Sequence, residues 1–139
     1  MSTVIERATT IPSLGREQCI ALTTFRKTGQ AVTTPVWFAE SPGAIYVETH
    51  SDAGKLKRLR HTARVTLAPC NFNGKVTGAV STGNAHILMG PEENTAASAL
   101  AKKYGFMRSL FHFVMNAQRR LQGKASVEEV YIAIEPIIG

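Results

Sequence analysis

Short turns between strand-like segments limit the fold of this chain more than any other feature. Apolar and polar residues alternate with the period of two that is typical of β-strands. The predicted strands are 18–25, 31–40, 44–50, 64–70, 76–89 and 127–136. Several are joined by hairpin turns that contain Gly29, Gly43 or Gly74. Because parallel strands need crossovers of about a dozen residues or more, these turns predict an antiparallel β-barrel.

Two of the predicted strands contain residues that disturb regular pairing. Pro35 has no N–H to donate to a ladder, so we expect a sheet edge, a bulge or a ligand-facing interruption there. Gly78 and Gly83 predict a break or bulge in the long strand 76–89.

A short helix is predicted directly after the third strand. Ser51 and Asp52 are good N-cap residues for a helix over 53–61, with Leu56 and Leu59 turned inward. The turn before that strand contains Pro42.

Two further helices are predicted late in the chain. Pro91 opens the first of them, and Gly105 ends it. The second is amphipathic, with apolar residues at helical spacing: Leu110, Phe113, Val114, Ala117 and Leu121. The predicted order is therefore β-β-β-α-β-β-α-α-β, within a single domain over residues 1–139.

Composition is that of a globular protein. Of the 139 residues, 44% are hydrophobic and 19% charged, which excludes a disordered chain. No apolar run approaches the roughly 20 residues that cross a bilayer, and the N-terminus has no secretory pattern. We therefore expect a cytoplasmic protein with no membrane partner.

The cysteines and histidines indicate no metal site. Cys19 and Cys70 are far apart, form no CxxC motif and lie in apolar stretches. This favours buried structural thiols over a disulfide or a catalytic thiol. The four histidines have neither HxxxH nor HExxH spacing.

Basic residues are concentrated just after the third strand. Five of the sixteen lie within ten residues: Lys55, Lys57, Arg58, Arg60 and Arg64. The free amides of a helix start, with small residues and cations beside them, suit a phosphate group. Since no Walker or Rossmann motif is present, a capped surface helix with solvated lysines explains the same spacing.

Several blocks of sequence carry a resemblance to a known family. They are 22–25 (LTTF), 34–38 (TPVWF), 54–60 (GKLKRLR), 65–70 (VTLAPC) and Lys103-Tyr104-Gly105. The chain resembles the pyridoxamine-phosphate-oxidase-like split β-barrels over about residues 23–131. Within them it is most similar to the flavin/deazaflavin oxidoreductase branch whose members depend on coenzyme F420.

The resemblance implies a mainly β fold, an antiparallel split β-barrel with short helices. It also implies a homodimer with cofactors in grooves at the subunit interface. The residues that would border the tricyclic ring are Thr34, Pro35, Val36 and Trp37. Those that would run beside the ribityl chain are Thr49, His50 and Ser51.

The resemblance places the cofactor phosphate at the basic helix. The residues that would hold it are Ser51, Gly54, Lys55 and Lys57, with Arg58 or Arg60 nearby. Tyr104 and Phe106 of the late helices would extend toward the partner's site. No catalytic residue is implied, since hydride transfer is the cofactor's own chemistry.

The leading function is an oxidoreductase that transfers a hydride between coenzyme F420 and a small organic acceptor. FMN is the alternative cofactor, because it shares the tricyclic ring and the ribityl phosphate. The local excess of lysine and arginine favours F420, whose oligoglutamate tail is acidic. Oxidation of pyridoxamine phosphate itself is disfavoured, since no second set of arginines is evident.

Two other classes of function compete with the enzyme. A non-catalytic binder of a flavin-type or other planar ligand stays open. Nucleic-acid binding is disfavoured because the remaining charge is spread out and only 7% of residues are aromatic.

Overall fold

The computed structural model describes residues 19–41, 43–51, 53–71, 73–123 and 128–137. Within them the chain forms β1 (Cys19–Phe25), β2 (Ala31–Val36), β3 (Phe38–Ser41), β4 (Ala44–His50), α1 (Gly54–His61), β5 (Arg64–Cys70), β6 (Ser81–Ile87), α2 (Pro91–Tyr104), α3 (Phe106–Leu121) and β7 (Glu129–Ile137). Pro42, Asp52 and residues 18 and 127, which the sequence assigned to a turn, a cap and two strand ends, lie outside these ranges.

The seven strands form one sheet in the order β2-β1-β5-β6-β7-β4-β3. Every neighbouring pair is antiparallel, which confirms the class predicted from the short turns. β2 and β3 lie at opposite ends of this order, yet only Trp37 separates them in sequence. The sheet must therefore curl until its two ends meet at Trp37, which closes a barrel.

The strand predicted over 31–40 is thus two strands, divided at Trp37. Pro35 lies on β2, at one end of the strand order, opposite Ala21 of β1. An edge strand is where a residue without an N–H is tolerated, so the expected sheet edge is confirmed.

The barrel interior is filled by apolar side chains from its strands and from α1. Leu56 and Leu59 of α1 are buried against it, as predicted. The largest fully buried side chains of this core are Ile20, Leu22, Phe38, Ile45, Leu67, Ile132 and Ile134. Because burying one such side chain contributes about 1.5–3 kcal/mol, this cluster is the main source of stability in the barrel.

A second apolar cluster joins α2 to the outside of the barrel. Ala96, Leu100 and Tyr104 of α2 are buried there with Ala133 of β7 and Ala39 of β3. Small residues on the strands let the helix approach closely, so α2 is firmly attached to the sheet.

The strand predicted over 76–89 is shorter in the structure, where β6 spans Ser81–Ile87. Gly78 lies before β6, where an added Cβ would come within 2.6 Å of Cγ of Pro69. Gly83 lies inside β6, paired with Val65, and its added Cβ would come within 2.7 Å of Cγ2 of Ile134. Both glycines permit close packing, and Gly83 does not break the strand.

The predicted cap of α1 is wrong at Ser51. Ala53 is the N-cap residue, and no side chain caps the first turn. Ser51 is exposed, and its N–H donates instead to the Glu128 carbonyl. None of the described helices is both long and apolar enough to span a membrane.

Candidate functional site

A groove opens where the two ends of the sheet meet. Its volume is about 190 Å³, and it lies between the β2–β3 junction, the end of β4, the first turn of α1 and α3. The lining residues are Pro35, Val36, Trp37, Glu48, Thr49, His50, Lys55 and Phe111. Three stretches of sequence, 35–37, 48–55 and residue 111, therefore form one site.

Six of the residues named from sequence line this groove: Pro35, Val36, Trp37, Thr49, His50 and Lys55. Five other cofactor-binding candidates do not line it, namely Thr34, Ser51, Gly54, Lys57 and Arg58, and neither does Arg60. Glu48 and Phe111 line it without having been named. Glu48 and His50 are two residues apart on β4 and therefore lie on the same face of the strand. Once His50 was named, the period of the strand could have indicated Glu48 as well. Phe111 comes from α3, and no local pattern pointed to it.

Trp37 is fixed in the groove wall by two aromatic neighbours. Its ring stacks on Tyr104 at 4.8 Å with an interplanar angle of 17°, and meets Phe111 at 4.7 Å and 47°. The Tyr104 hydroxyl donates to the Phe38 carbonyl and accepts from the Phe38 N–H, both at 2.9 Å. Burial raises the pKa of Tyr104, so this hydroxyl stays a neutral donor. The wall is a rigid flat surface.

Tyr104 is thus buried within its own protomer, where it supports Trp37. The side chain of Phe106, the other residue expected to extend toward a partner, lies outside what the structure describes.

Beside the aromatic wall, α1 contributes two cationic side chains, Lys55 and Arg58. Lys55 Nζ donates to Thr49 Oγ1 at 3.4 Å, and Arg58 Nε donates to Thr24 Oγ1 at 2.5 Å. Burial lowers the pKa of Lys55, and the charge of Arg58 lowers it further. Burial also lowers the pKa of Arg58, with a smaller contribution from Arg26. Positive charge is therefore crowded here and would be stabilised by an anion.

No described carboxylate forms an ion pair with these cations. The ion pairs of the described chain join His86 to Glu135, Arg108 and His112 to Glu48, and His112 to Glu129. Gly54 opens α1 beside Arg58, since an added Cβ would lie 2.9 Å from Nη1 of Arg58. The guanidinium is the mobile end of a long side chain, so it can also move aside for a ligand.

Lys57 and Arg60 differ from Lys55 in exposure. Both are exposed and neither lines the groove, whereas Lys55 is partly buried and does. Residues two apart on a helix do not share a face, which explains why Lys55 and Lys57 are separated.

An ionic cluster attaches α3 to the sheet beside the groove. Arg108 donates to Glu48 Oε1 through Nε at 2.9 Å and Nη2 at 2.6 Å, and His112 Nε2 contacts Glu48 Oε2. Arg108 Nη2 also donates to the Tyr131 hydroxyl at 2.8 Å, and Glu129 lies 3.5 Å from His112 Nδ1. The Glu48 side chain is only 8% exposed. This cluster sets the position of α3 and so of Phe111.

Within this cluster, burial raises the pKa of Tyr131 to about 12, and the neighbouring charge of Glu48 adds to this shift.

A further polar group in the groove is His50, whose buried Nδ1 has no hydrogen-bond partner among the described residues. A buried nitrogen without a partner is costly, so it marks a position where a ligand hydroxyl would bind favourably.

The closed antiparallel sheet, with a groove at its seam, defines this chain as a split-barrel protein. Its sequence matches the family described as Pyridoxamine 5'-phosphate oxidase over residues 11–133, and the chain belongs to that family. No curated protein matches it significantly.

Solved structures share the fold at low sequence identity. The heme storage protein HutZ from Vibrio cholerae superposes with a TM-score of 0.62 at 10% identity, covering 89% of this chain and 84% of its own. A proposed pyridoxamine 5'-phosphate oxidase from Listeria innocua gives 0.58 at 16%, covering 88% and 86%. An FAD-binding protein from Mesorhizobium loti gives 0.58 at 15%, covering 99% and 91%.

Proposed function

We propose that this protein is an oxidoreductase that binds a flavin-type cofactor with a ribityl phosphate and transfers a hydride to or from a small organic molecule. The observation that carries the proposal is one groove that combines the rigid Trp37 wall with a partly buried cation that has no described carboxylate partner. A planar ring requires the first feature, and a phosphate requires the second.

Each part of the groove has a counterpart in such a cofactor. Pro35, Val36 and Trp37 would border the ring, together with Thr34. Thr49 and His50 would contact the ribityl hydroxyls, which would give the buried His50 Nδ1 the partner it lacks.

The phosphate end of the site is α1. Lys55 would bind the phosphate with the uncapped first-turn amides that begin at Gly54, and Arg58 would lie nearby. The family resemblance also implies Ser51 and Lys57, but both are exposed and neither lines the groove, so the proposed phosphate site does not depend on them. When bound, the cofactor supplies the hydride chemistry. The protein's own residues bind it, orient it and exclude water from its ring.

Coenzyme F420 is our first choice of cofactor because the cations continue past the groove. Arg58 is close enough to interact electrostatically with both Lys55 and Arg26. Arg26 belongs to a second depression, lined by Phe25, Arg26, Lys27, Gly29, Thr62 and Arg64. FMN ends at its phosphate, whereas the acidic tail of F420 extends beyond it and would be attracted to these cations.

A second copy of the chain would complete the site. The groove volume of about 190 Å³ in one protomer is smaller than the roughly 300–1,000 Å³ of typical cofactor pockets. Beside the groove, α3 exposes apolar side chains that a partner would cover, among them Phe113 and Val114. We therefore propose a homodimer with the cofactor between the subunits.

The test is an equilibrium titration of the protein with FMN and, separately, with F420, followed by fluorescence. We expect micromolar or tighter binding of one of them. Lys55→Ala should weaken it about 10- to 100-fold, as expected for a charge-assisted contact. Lys57→Ala removes the same charge outside the groove and should change the affinity less than about threefold.

Arg26→Ala separates the two cofactors. It should weaken F420 binding and leave FMN binding unchanged, because only F420 extends to the second depression. If neither ligand binds, or if Lys55→Ala and Lys57→Ala weaken binding equally, the proposed site is wrong.

The second candidate function is a non-catalytic binder of a planar ligand. The groove wall suits any flat ring, and His50 offers a nitrogen to it. One of the similar structures is described as a heme storage protein. Tight binding of a planar ligand without turnover of any hydride acceptor would favour this function over the enzyme.

A further inference from the structure

Two cysteines that are distant in sequence meet behind the groove wall. Cys19 begins β1 and Cys70 ends β5, and the two are directly opposite each other in the antiparallel β1–β5 pair. Their sulfur atoms lie 3.5 Å apart. Both side chains are buried, Cys19 at 2% exposure and Cys70 at 0%. The barrel therefore holds a dithiol, with no disulfide between them.

The backbone geometry of this pair suits a disulfide. Directly opposed residues in antiparallel strands have Cα atoms about 4.5–5.5 Å apart, and disulfides span Cα distances of about 4.4–6.8 Å. The sulfur atoms must approach from 3.5 Å to the bonding distance of about 2.05 Å. The strand register need not change, because the two residues already lie opposite each other.

The surroundings of the pair connect it to both the surface and the groove. The Cys19 thiol donates to the Asn71 carbonyl at 3.3 Å, and Asn71 and Asn73 are exposed. Strand ends beside exposed residues are among the less stable parts of a fold, and local opening there would admit a small oxidant. On the other side, Trp37 packs against the cluster of Cys19, Ala21 and Cys70.

We propose that Cys19 and Cys70 form a redox-active dithiol that peroxide oxidises to an intramolecular disulfide, and that this disulfide alters the packing of Trp37 in the groove wall. One thiol gives up its proton, and the resulting thiolate attacks hydrogen peroxide. The S–O bond forms, the O–O bond breaks, and the departing hydroxide takes up that proton and leaves as water. The second thiol attacks this sulfur, the S–O bond breaks and a second water leaves. Overall, two thiols and one peroxide give one disulfide and two waters, and two electrons pass to the peroxide.

The experiment treats the full-length reduced protein with a small excess of hydrogen peroxide. Thiols are then counted after denaturation, and the intact mass is measured. Trp37 is the single tryptophan of the chain, so its fluorescence reports on the groove wall. We expect the loss of both thiols, an intact mass lower by two hydrogen atoms, and a change in tryptophan emission that dithiothreitol reverses.

Three variants control this experiment. Cys19→Ala and Cys70→Ala each retain one thiol and should gain oxygen or remain unchanged, without losing two hydrogens. The double variant keeps the four methionines and shows any emission change caused by their oxidation.

Two results would overturn the proposal. In the first, the folded protein keeps both thiols under conditions that oxidise the denatured chain, which would make them inert core residues. In the second, the disulfide forms but Trp37 emission changes no more than in the double variant, which would disconnect the pair from the groove.

Discussion

The helices α2 and α3 follow one another with only Gly105 between them, yet they are attached to the barrel in opposite ways. α2 buries Leu100 and Tyr104 against small residues of the sheet. α3 leaves its apolar residues in solvent, with Phe113 at 72% and Leu121 at 88% exposure. It is held by the Glu48 cluster and by the contact between Phe111 and Trp37.

This difference separates two functions of an amphipathic helix. α2 follows the usual rule, in which the apolar face covers a core. α3 turns charged groups to the sheet and keeps its apolar face outward, which is the arrangement expected if this face belongs to the proposed dimer interface. The same hydrophobic pattern therefore predicts the helix in both cases but not what it packs against.

The largest expected change in the free energy of unfolding comes from a substitution that weakens the packing of α2. Leu100→Ala should lower the free energy of unfolding by about 2–5 kcal/mol, because it leaves a cavity in a closely packed cluster. Leu121→Ala, the same substitution on α3, should change it by less than about 0.5 kcal/mol. Urea denaturation of dilute protein measures both. Equal losses would mean that α3 is buried as deeply as α2.

The second largest loss of stability is expected when the ionic cluster that holds α3 is removed. Glu48→Ala leaves Arg108 without its carboxylate and His112 with only Glu129, and should cost about 2–3 kcal/mol. Glu135→Ala is the matched control, since Glu135 pairs with His86 in an exposed position and such pairs contribute little. In hydrogen exchange, Glu48→Ala should deprotect α3 and leave α2 protected. Loss of protection in both helices would contradict separate attachments.

The outward face of α3 provides a sharper test. Phe113→Asp places a charge in the proposed dimer interface and should weaken dimerisation about 30-fold or more, or about 2 kcal/mol. Ser98→Asp adds the same charge at an exposed residue of α2 and should have little effect. Sedimentation equilibrium gives both constants. A Phe113→Asp protein that remains as dimeric as the parent would exclude this face as the interface.

The smallest expected effect concerns pH. The pKa of Tyr131 is raised from 10.0 to about 12, so the folded state favours the neutral phenol. Its stabilising contribution is complete below pH 10 and is lost as the pH rises toward 12, because the unfolded chain releases this proton first. Tyr131→Phe should cost about 1 kcal/mol or less at pH 8. Its stability should then fall less steeply than that of the parent between pH 10 and 12.

Most of the fold follows from local sequence patterns. Period-two alternation predicted where strands lie along the chain, and short turns predicted their antiparallel pairing. The division at Trp37 was not predictable, because Val36 and Phe38 are both buried and the segment keeps the character of one strand. Its two halves pair with different neighbours, β1 and β4, and only the closed sheet shows this.

The candidate site was predictable where it is local. Pro35, Trp37, His50 and Lys55 lie in two short segments that the family resemblance singled out, and all four line the groove. Phe111, contributed by a helix more than fifty residues later, depends on how α3 is attached. The Cys19–Cys70 contact depends on strand register, so a spacing argument could only treat the two thiols as unrelated.

The position of β7 has a consequence for synthesis on the ribosome. β7 contains the latest residues of the sheet but lies between β6 and β4, where it joins the two halves of the barrel. Until residues 129–137 emerge, the edges of β4 and β6 that pair with β7 have no partner strand. The nascent chain therefore exposes strand edges for most of its translation, and the barrel closes in a late step that recruits β7.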